Sequence, residues 1–263
     1  MPAYLDTIIA AHRAGAGDDD RPLEELVEQV GRAAPVRPFR RAITDEASRH
    51  GMALIAEIKR RSPSKGDLDP TLDPVRVAKE YEAGGATCLS VLTDADFFGG
   101  SVDDLRSARE SCALPVLRKD FTVSPLDICD ARLMGADAVL LIVAALTDPE
   151  LASFLELART CSLTALVEVH DDRELARALD SGAEVIGVNQ RDLRTFEVDH
   201  QRALRLGGAM PAHVTAVAES GIDSPEDVRR LADAGYQAVL VGERLVRSGD
   251  RRSSVEQLLG VGT

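Results

Sequence analysis

Eight short apolar runs rich in β-branched residues alternate with amphipathic stretches from Met52 onward. Their starts are separated by roughly 20 to 35 residues, the length that a helical crossover between parallel strands requires. Eight such units favour closure of the parallel sheet, so the sequence predicts a (β/α)₈ TIM barrel. The predicted strands are Ala53–Ile58, Thr87–Leu92, Pro115–Lys119, Ala138–Ile142, Thr164–Glu168, Val185–Val188, Val214–Ala218 and Ala238–Val241.

A recurring glycine supports the same fold. Gly stands where a helix would end, just ahead of a strand, in the segments EAGGATCLSV, LMGADAVLLI, DSGAEVIGV and ADAGYQAVLV. A helix commonly ends at such a residue. The four segments precede the even-numbered strands, and this spacing of about 50 residues suggests an internal two-unit periodicity.

The residues before Met52 follow a different pattern. We interpret residues 1–51 as an N-terminal helical extension packed on the barrel. Its predicted elements are helices near Tyr4–His12, Pro22–Arg32 and Ile43–Arg49, with a loop at Gly15–Asp20. No Pro/Gly-rich linker follows the extension, so the sequence predicts one domain over residues 1–263.

Charge and hydropathy argue against several classes of partner. The formal net charge of −13 and the pI of about 4.9 disfavour nucleic acid, since a phosphate backbone is held by clustered Lys and Arg. No segment approaches the roughly 20 apolar residues of a membrane span, and the N-terminus lacks a basic segment leading into an apolar run. We therefore expect a cytoplasmic protein without nucleic-acid or membrane partners, monomeric or weakly homodimeric.

Cysteine and histidine usage does not indicate a metal site. No CxxC pair and no cluster of zinc-site spacing is formed by the four cysteines, Cys88, Cys112, Cys129 and Cys161. They are predicted to be reduced thiols. His170 follows Glu168 by two residues, but no further His or carboxylate stands at recognisable ligand spacing, so a metal-free site is expected.

Polar residues interrupt the apolar pattern at the ends of five strands. The first run ends A-E-I-K, so Glu57 and Lys59 point to one side of the strand and Ile58 to the other. Active sites of (β/α)₈ barrels are built at the C-terminal ends of the strands. The sequence therefore predicts that this pair converges with the residues ending four other runs, namely Lys119, Glu168, Asn189 and Glu219.

Lysine is rare in this chain and concentrated at the predicted site. Of the 31 basic residues only four are lysine, and two of these, Lys59 and Lys119, end strands. Since the chain otherwise uses arginine, lysine at these positions suggests a compact ammonium group whose pKa burial can lower for proton transfer.

Two regions suit a phosphate group. The loop Arg60–Gly66 offers cations and hydroxyls, while Glu219–Ile222 and Val241–Glu243 place Gly at the ends of the last two strands. Backbone N–H groups can approach an anion closely there, at the position where many barrels hold phosphate. A phosphorylated small molecule is therefore the predicted substrate, held in a local basic pocket of an acidic protein.

The whole set of motifs resembles the indole-3-glycerol phosphate synthase family in order and spacing, over nearly the whole chain. The resemblance implies ring closure, decarboxylation and dehydration of 1-(2-carboxyphenylamino)-1-deoxyribulose 5-phosphate, which gives indole-3-glycerol phosphate in tryptophan biosynthesis. It implies neither a cofactor nor a metal. The segments that carry it are AEIKRRSPSKG, FFGGSVDDL, VLRKDF, GADAVLLI, ALVEVH, GVNQRDL, VAESGI and VGERLV.

The resemblance also implies catalytic roles. Lys119 would be the general acid that protonates the substrate carbonyl oxygen as the aromatic carbon attacks it. Glu168 and Glu57 would remove protons and stabilise the developing iminium charge, with Glu168 in the stronger acid/base role. Lys59 would bind the carboxylate or phosphate of the substrate and assist dehydration, and Asn189 would orient the substrate.

The remaining implied residues bind substrate. Arg191 lies beside Asn189, and Phe98 and Phe121 would be the walls against the anthranilate ring. Glu219 belongs to the same binding set. The phosphate would be cradled by Ser62, Ser220, Gly221, Gly242 and the backbone N–H of Glu243.

Two other hypotheses stay open at this point. Another phosphosugar barrel enzyme, such as a phosphoribosylanthranilate isomerase or a Schiff-base aldolase, would share the fold and the phosphate end. An aldolase needs an imine-forming lysine, and the sixth strand ends in Asn189, without one. A non-catalytic phosphometabolite sensor or scaffold would use the carboxylates only to tune binding.

Overall fold

The strands form a closed parallel barrel in a computed structural model that describes residues 4–63, 65–192 and 195–260. Each strand pairs with its neighbours along the chain, and β1 pairs with both β2 and β8, which closes the sheet. The strands are β1 (Ala53–Ile58), β2 (Cys88–Leu92), β3 (Val116–Lys119), β4 (Ala138–Ile142), β5 (Thr164–Val169), β6 (Val185–Asn189), β7 (Thr215–Glu219) and β8 (Ala238–Val241). The predicted barrel is confirmed, with every strand boundary within one residue of its prediction.

Helices alternate with these strands. Three of them, α6, α7 and α10, begin with a capping box and a proline in the first turn, which satisfies the free N–H groups there. None of the described helices is long and apolar enough to cross a membrane. Their bounds are α1 Tyr4–Gly17, α2 Leu23–Gly31, α3 Phe39–His50, α4 Pro74–Ala83, α5 Val102–Ser111, α6 Pro125–Met134, α7 Asp148–Thr160, α8 Asp172–Asp180, α9 His200–Gly207, α10 Pro225–Asp233, α11 Glu243–Val246 and α12 Arg251–Leu259.

Short irregular elements complete the chain. Arg61–Ser62 and Gly66–Asp67 pair as a small antiparallel hairpin after β1, and a 3₁₀ turn covers Val143–Ala145 after β4. The predicted glycine stops are present, since Gly135 and Gly235 end their helices with φ values of 100° and 94°, which a residue with a Cβ rarely adopts. The four cysteines are free thiols, as predicted.

Two apolar layers hold the barrel together. The outer layer packs the helices on the outward faces of the strands, with Leu54, Val139 and Val167 fully buried. The inner layer fills the barrel with inward side chains such as Ile55 and Leu166. Because strand side chains alternate, the inward row of β1 continues from Ala53 and Ile55 to the charged Glu57.

The N-terminal helices cover opposite ends of the barrel. Leu5 and Ile8 of α1 join the inner apolar cluster and line the cavity at the C-terminal ends of the strands. Phe39 of α3 joins the same cluster from the other end, where Cys88, the first residue of β2, donates to its carbonyl oxygen. Arg40 fixes this end by donating to the carbonyl of His213, just before β7.

Two local predictions in the extension were wrong. Helix α1 ends at Gly17, so the predicted loop at Gly15–Asp20 begins later, because Arg13 anchors the helix to Glu150 Oε1 at 2.9 Å. Alanine at two of the four following positions also favours continuation. Helix α3 starts at Phe39, four residues before the predicted Ile43, because both side chains lie on one buried face.

Candidate active site

A cavity of about 730 Å³ opens at the C-terminal ends of the barrel strands. Every residue that the sequence assigned to catalysis or substrate binding lines it, from Glu57 on β1 to Glu243 after β8. The barrel closure explains this convergence, since all eight strands end at the same rim. The cavity also receives residues that the sequence did not indicate, from helix α1 and from the segments after β2, β6 and β8.

Lys119 lies at the centre of a carboxylate cluster. Its Nζ is 2.8 Å from Glu219 Oε2 and 3.2 Å from Glu168 Oε2. Burial lowers the pKa of the Lys119 ammonium group, but the charges of Glu219, Glu168 and Glu57 outweigh burial and raise it. The expectation that burial would lower this pKa was wrong, because the site that buries Lys119 surrounds it with carboxylates. The ammonium form is therefore available at neutral pH.

Glu168 is a buried carboxylate held by three neighbours. Asn189 Nδ2 donates to its Oε1 at 3.2 Å, and His170 Nε2 lies 3.4 Å from the same oxygen. Burial raises the pKa of Glu168, but Lys119 and His170, together with the hydrogen bond from Asn189, outweigh it and lower the pKa overall. Glu168 is thus ionised and able to accept a proton from a bound molecule.

Glu219 has the opposite protonation behaviour. Burial raises the pKa of Glu219 to about 7; Lys119 opposes this rise, and the charge of Glu168 adds to it. Its Oε1 is buried and has no hydrogen-bond partner among the described residues. A Cβ at Gly187 would lie 2.1 Å from that oxygen, so glycine on β6 makes room for this side chain. The resemblance placed Glu219 in the binding set, whereas its environment also suits proton exchange near neutral pH.

Glu57 and Lys59 form a close ion pair on the first strand and its exit. Lys59 Nζ is 2.5 Å from Glu57 Oε1, and the Ser90 hydroxyl donates to Glu57 Oε2 at 3.4 Å. Burial raises the pKa of Glu57, but the nearby Lys59 and Lys119 ammonium groups lower it overall. Ser90 was missed in the sequence because it lies in the middle of β2, where a single serine is an ordinary strand residue.

The loop after β7 makes a sharp turn at the predicted phosphate end. Ser220 and Gly221 both have a φ of 67°, a left-handed conformation that is uncommon for serine. Gln190 Nε2 donates to the Ser220 carbonyl at 2.7 Å and fixes the turn. A Cβ at Gly221 would lie 2.5 Å from Val198 Cγ1, so only glycine fits there. Lys65, from the loop Arg60–Gly66 that was predicted to offer cations, also lines the cavity, together with two cations that the sequence did not indicate, Arg244 and Arg247.

Aromatic and apolar side chains enclose the other side of the cavity. The rings of Phe98 and Phe121 face each other with centroids 6.1 Å apart. Leu5 and Ile8 of α1 add apolar surface, and Tyr4 packs edge-on against Phe196 at 5.3 Å. The amphipathic pattern of α1 indicated a buried face but could not say that this face covers the cavity.

Gly242 is expected to tolerate no side chain. A Cβ there would lie 2.5 Å from Glu57 Oε1 and 3.2 Å from Glu57 Cβ, so Gly242→Ala should displace the carboxylate from Lys59. Because the resemblance assigns Glu57 and Lys59 to the reaction, kcat should fall by about one to two orders of magnitude. Steady-state kinetics would measure this loss. Gly249→Ala is the matched control, since a Cβ at Gly249 meets nothing within 4 Å; equal activities for the two variants would contradict the prediction.

Comparison with known proteins identifies the family. The family model described as indole-3-glycerol phosphate synthase matches residues 5–258. The indole-3-glycerol phosphate synthase of Kineococcus radiotolerans is 49% identical over 241 residues, covering 91% of this chain and 88% of that protein. Indole-3-glycerol phosphate synthase 1 of Streptomyces coelicolor is 46% identical over 262 residues, covering 99% of this chain and 96% of that protein.

A more distant solved structure shares the fold alone. Thiamine phosphate pyrophosphorylase from Pyrococcus furiosus superposes with a TM-score of 0.60 at 19% sequence identity, covering 80% of this chain and 95% of that chain. Proteins that share this barrel can have different functions, so the strand-end residues and not the fold indicate the function of a chain. With those residues assembled in one cavity and the family model matched from end to end of the described barrel, the chain belongs to the indole-3-glycerol phosphate synthase family.

Proposed function

We propose that this chain is an indole-3-glycerol phosphate synthase, which converts 1-(2-carboxyphenylamino)-1-deoxyribulose 5-phosphate to indole-3-glycerol phosphate, carbon dioxide and water. The observation that carries the proposal is the placement of Lys119 between Glu168 and Glu219, inside a cavity with an aromatic wall on one side and a glycine turn on the other. This arrangement supplies an acid, a base and two binding ends for one substrate.

The substrate binds across the mouth of the barrel. Its phosphate lies against the turn at Ser220 and Gly221, beside Ser62 and the start of α11. Its anthranilate ring lies against Phe98 and Phe121, and Lys59 attracts its carboxylate. The apolar side chains of α1 exclude water from this region, which strengthens the interactions between charges inside it.

Ring closure is the first chemical step. The ring carbon that bears the carboxylate attacks the ketone carbon, and Lys119 gives a proton to the ketone oxygen as the new carbon–carbon bond forms. The nitrogen lone pair moves toward the ring and leaves an iminium, whose positive charge the ionised Glu57 stabilises. The carbon–carboxylate bond then breaks, carbon dioxide leaves, and the bonding electrons neutralise the iminium and restore aromaticity.

Dehydration completes the indole. The hydroxyl group formed from the ketone leaves as water with a proton from Lys59, while Glu168 removes a proton from the carbon next to nitrogen. Glu168 and Glu219 both contact Lys119, so protons can return to it through either carboxylate. One proton enters from solvent in each turnover, because a carboxylate is replaced by neutral carbon dioxide.

The direct test is an assay for product with purified protein and no added metal. Formation of the fluorescent indole-3-glycerol phosphate is expected. Its absence from a preparation of correctly folded protein would contradict the proposal. Turnover of phosphoribosylanthranilate would instead indicate an isomerase, and borohydride trapping of Lys119 with a carbonyl substrate would indicate an aldolase. The cytoplasmic location and the monomeric or weakly dimeric state stay predictions from the sequence.

The pKa of Glu219 gives a prediction that does not depend on turnover. Because its pKa of about 7 exceeds the ordinary value of 4.5, the folded protein holds a proton that the unfolded chain releases between these pH values. This contribution to stability is present below pH 4.5 and is lost as the pH rises through about 7. Glutamine does not ionise, so Glu219→Gln should not lose stability in this way as the pH rises. The free energy of unfolding of the variant, minus that of the parent, should therefore rise by on the order of 2 kcal/mol between pH 5 and pH 8.

Urea unfolding at several pH values would measure this difference. Glu226→Gln is the control, because that side chain is 66% exposed on α10 and its stability difference from the parent should not follow the same pH course. A Glu219→Gln variant whose stability runs parallel to that of the parent from pH 5 to pH 8 would refute the assignment.

A further inference from the structure

Three titratable side chains from three elements meet beside the aromatic wall, outside the groups used by the mechanism. His12 of α1 has its Nε2 3.0 Å from Asp94 Oδ2 and 4.0 Å from Asp120 Oδ1. Asp94 lies two residues after β2 and Asp120 directly follows β3, and each is 6% exposed. We call these three residues the His12 cluster.

The two carboxylates of the His12 cluster hold the backbone of the aromatic wall. Asp94 Oδ1 accepts the N–H groups of Phe97 at 2.6 Å and Phe98 at 3.1 Å. Asp120 Oδ1 accepts the N–H group of Phe121 at 2.8 Å. Phe98 and Phe121 are the rings proposed to enclose the anthranilate group. Any movement of the two carboxylates therefore moves both walls.

His12 supplies the positive charge that this arrangement requires. Asp120 also accepts a hydrogen bond from Arg118 at 3.0 Å and another from Thr93, so its charge has a second partner. Asp94 has no ion pair with lysine or arginine within the described part of the chain, and His12 is its charged partner. A buried carboxylate without a partner would be costly, so a protonated His12 stabilises Asp94 where it stands.

The charges facing His12 favour its protonated form. The hydrogen bond with Asp94 raises the pKa of His12, burial lowers it, and the charges of Asp120, Asp94 and Asp127 of α6 add to the rise. The guanidinium of Arg118 lies on the other side of Asp120, with its Nη2 3.0 Å from Asp120 Oδ2. Because the pKa is raised above the ordinary value of 6.5, the imidazolium is held below that pH and lost as the pH rises through the raised pKa.

A metal ion would be the other use of such a cluster, since one ligand atom from each of its three residues lies within 4.8 Å of the other two. The oxygens, however, are already engaged. Asp94 Oδ1 and both oxygens of Asp120 accept hydrogen bonds from protein donors, including the N–H groups of Phe98 and Phe121. Metal binding would compete with the contacts that hold the walls, so the cluster is arranged for positioning.

We infer that His12 is a positioning residue that ties helix α1 to both aromatic walls and so sets the affinity for the aromatic part of the substrate. The identity of that substrate rests on the proposed function. His12 also packs its ring against Phe121, with centroids 5.3 Å apart. Within the described part of the chain, the hydrogen bonds of the His12 cluster do not reach Lys119 or Glu168, so the effect falls on KM and leaves kcat unchanged.

The test compares the parent with His12→Gln from pH 6 to pH 9. At pH 6, where the parent imidazole is charged, the variant should raise KM roughly three- to tenfold with kcat within about twofold. Above the pKa of His12, which an NMR titration of the parent locates, the imidazole has lost that charge and the two KM values should come within about twofold. Arg13→Gln is the matched control, because Arg13 anchors the same helix through Glu150 without touching the cluster; it should show no such pH-dependent difference.

Two further measurements separate this inference from the proposed function. Proton NMR of the imidazole C–H groups should give His12 a pKa above its ordinary value, and Asp94→Asn should bring it down. Calorimetric titration with anthranilate, which needs no turnover, should show weaker binding to His12→Gln than to the parent at pH 6 only. Absence of indole-3-glycerol phosphate formation would refute the function and leave this binding test decisive.

Three results would overturn the inference. They are an unchanged KM and anthranilate affinity in His12→Gln at pH 6, no anthranilate binding to the parent, and an equal pH-dependent loss in Arg13→Gln.

Discussion

Replacement of Lys119 by methionine is expected to lower kcat by about a thousandfold, within the range that general acid catalysis contributes. Lys119 contacts both Glu168 and Glu219, and its raised pKa keeps the ammonium form available. Methionine is an unbranched side chain one atom shorter than lysine, and it can neither donate a proton nor balance the two carboxylates. Stopped-flow and steady-state assays that follow the fluorescence of indole-3-glycerol phosphate would measure the loss.

Two variants control for charge and folding. Lys119→Arg keeps the positive charge, but its longer, planar guanidinium cannot place a proton where the compact Lys119 ammonium does, so turnover should stay low while the thermal melt resembles that of the parent. Lys79→Met makes the same chemical change at an exposed position of α4 and should have parental kinetics. Turnover of Lys119→Met within tenfold of the parent would exclude Lys119 as the acid.

Glu168→Gln is expected to lower kcat by about two to four orders of magnitude with KM within a few fold. Lys119 and Asn189 donate to different oxygens of Glu168, and glutamine keeps one of these oxygens, so the size of the side chain and one of the two hydrogen bonds are retained. It has no basic oxygen, however, and cannot take the proton whose removal completes the indole. The substrate should still bind, because the phosphate and aromatic ends of the cavity are unchanged.

Lys119→Met and Glu168→Gln should block different steps of the reaction. Labelled carbon dioxide should appear faster than indole fluorescence in Glu168→Gln, since closure and decarboxylation precede the step that needs this base. In Lys119→Met both signals should be slow, because closure itself fails. Glu156→Gln on the exposed side of α7 is the isosteric control, with a side chain that is 73% exposed. Parental kcat in Glu168→Gln, or carbon dioxide and indole appearing together in it, would contradict the assigned role.

The strands were predictable because their pattern is local. A run of inward and outward apolar side chains ends where a charge appears, so the positions of Glu57, Lys119 and Glu168 at strand ends could be read from the chain alone. Barrel closure then brings all strand ends to one rim. The helix boundaries at Gly17 and Phe39 were missed, because anchoring by Arg13 and burial against the barrel decided them.

The protonation states depended on distances that the sequence does not contain. Lysine at position 119 suggested a lowered pKa, whereas Glu168 and Glu219, 49 and 100 positions further along the chain, raise it by their proximity. The position of the Glu219 carboxylate depends in turn on Gly187 of the neighbouring strand, because any side chain there would occupy the space of Glu219 Oε1.

Consecutive residues were enough to predict the barrel, the rim where its functional residues meet and the family to which the chain belongs, because strand alternation and motifs are local patterns. Three features depend on contacts in space: α1 covers the cavity, His12 meets Asp94 and Asp120, and Glu219 is the carboxylate with a pKa near neutral pH. Coulomb energies and desolvation depend on the separation and burial of groups in space, and packing alone sets both.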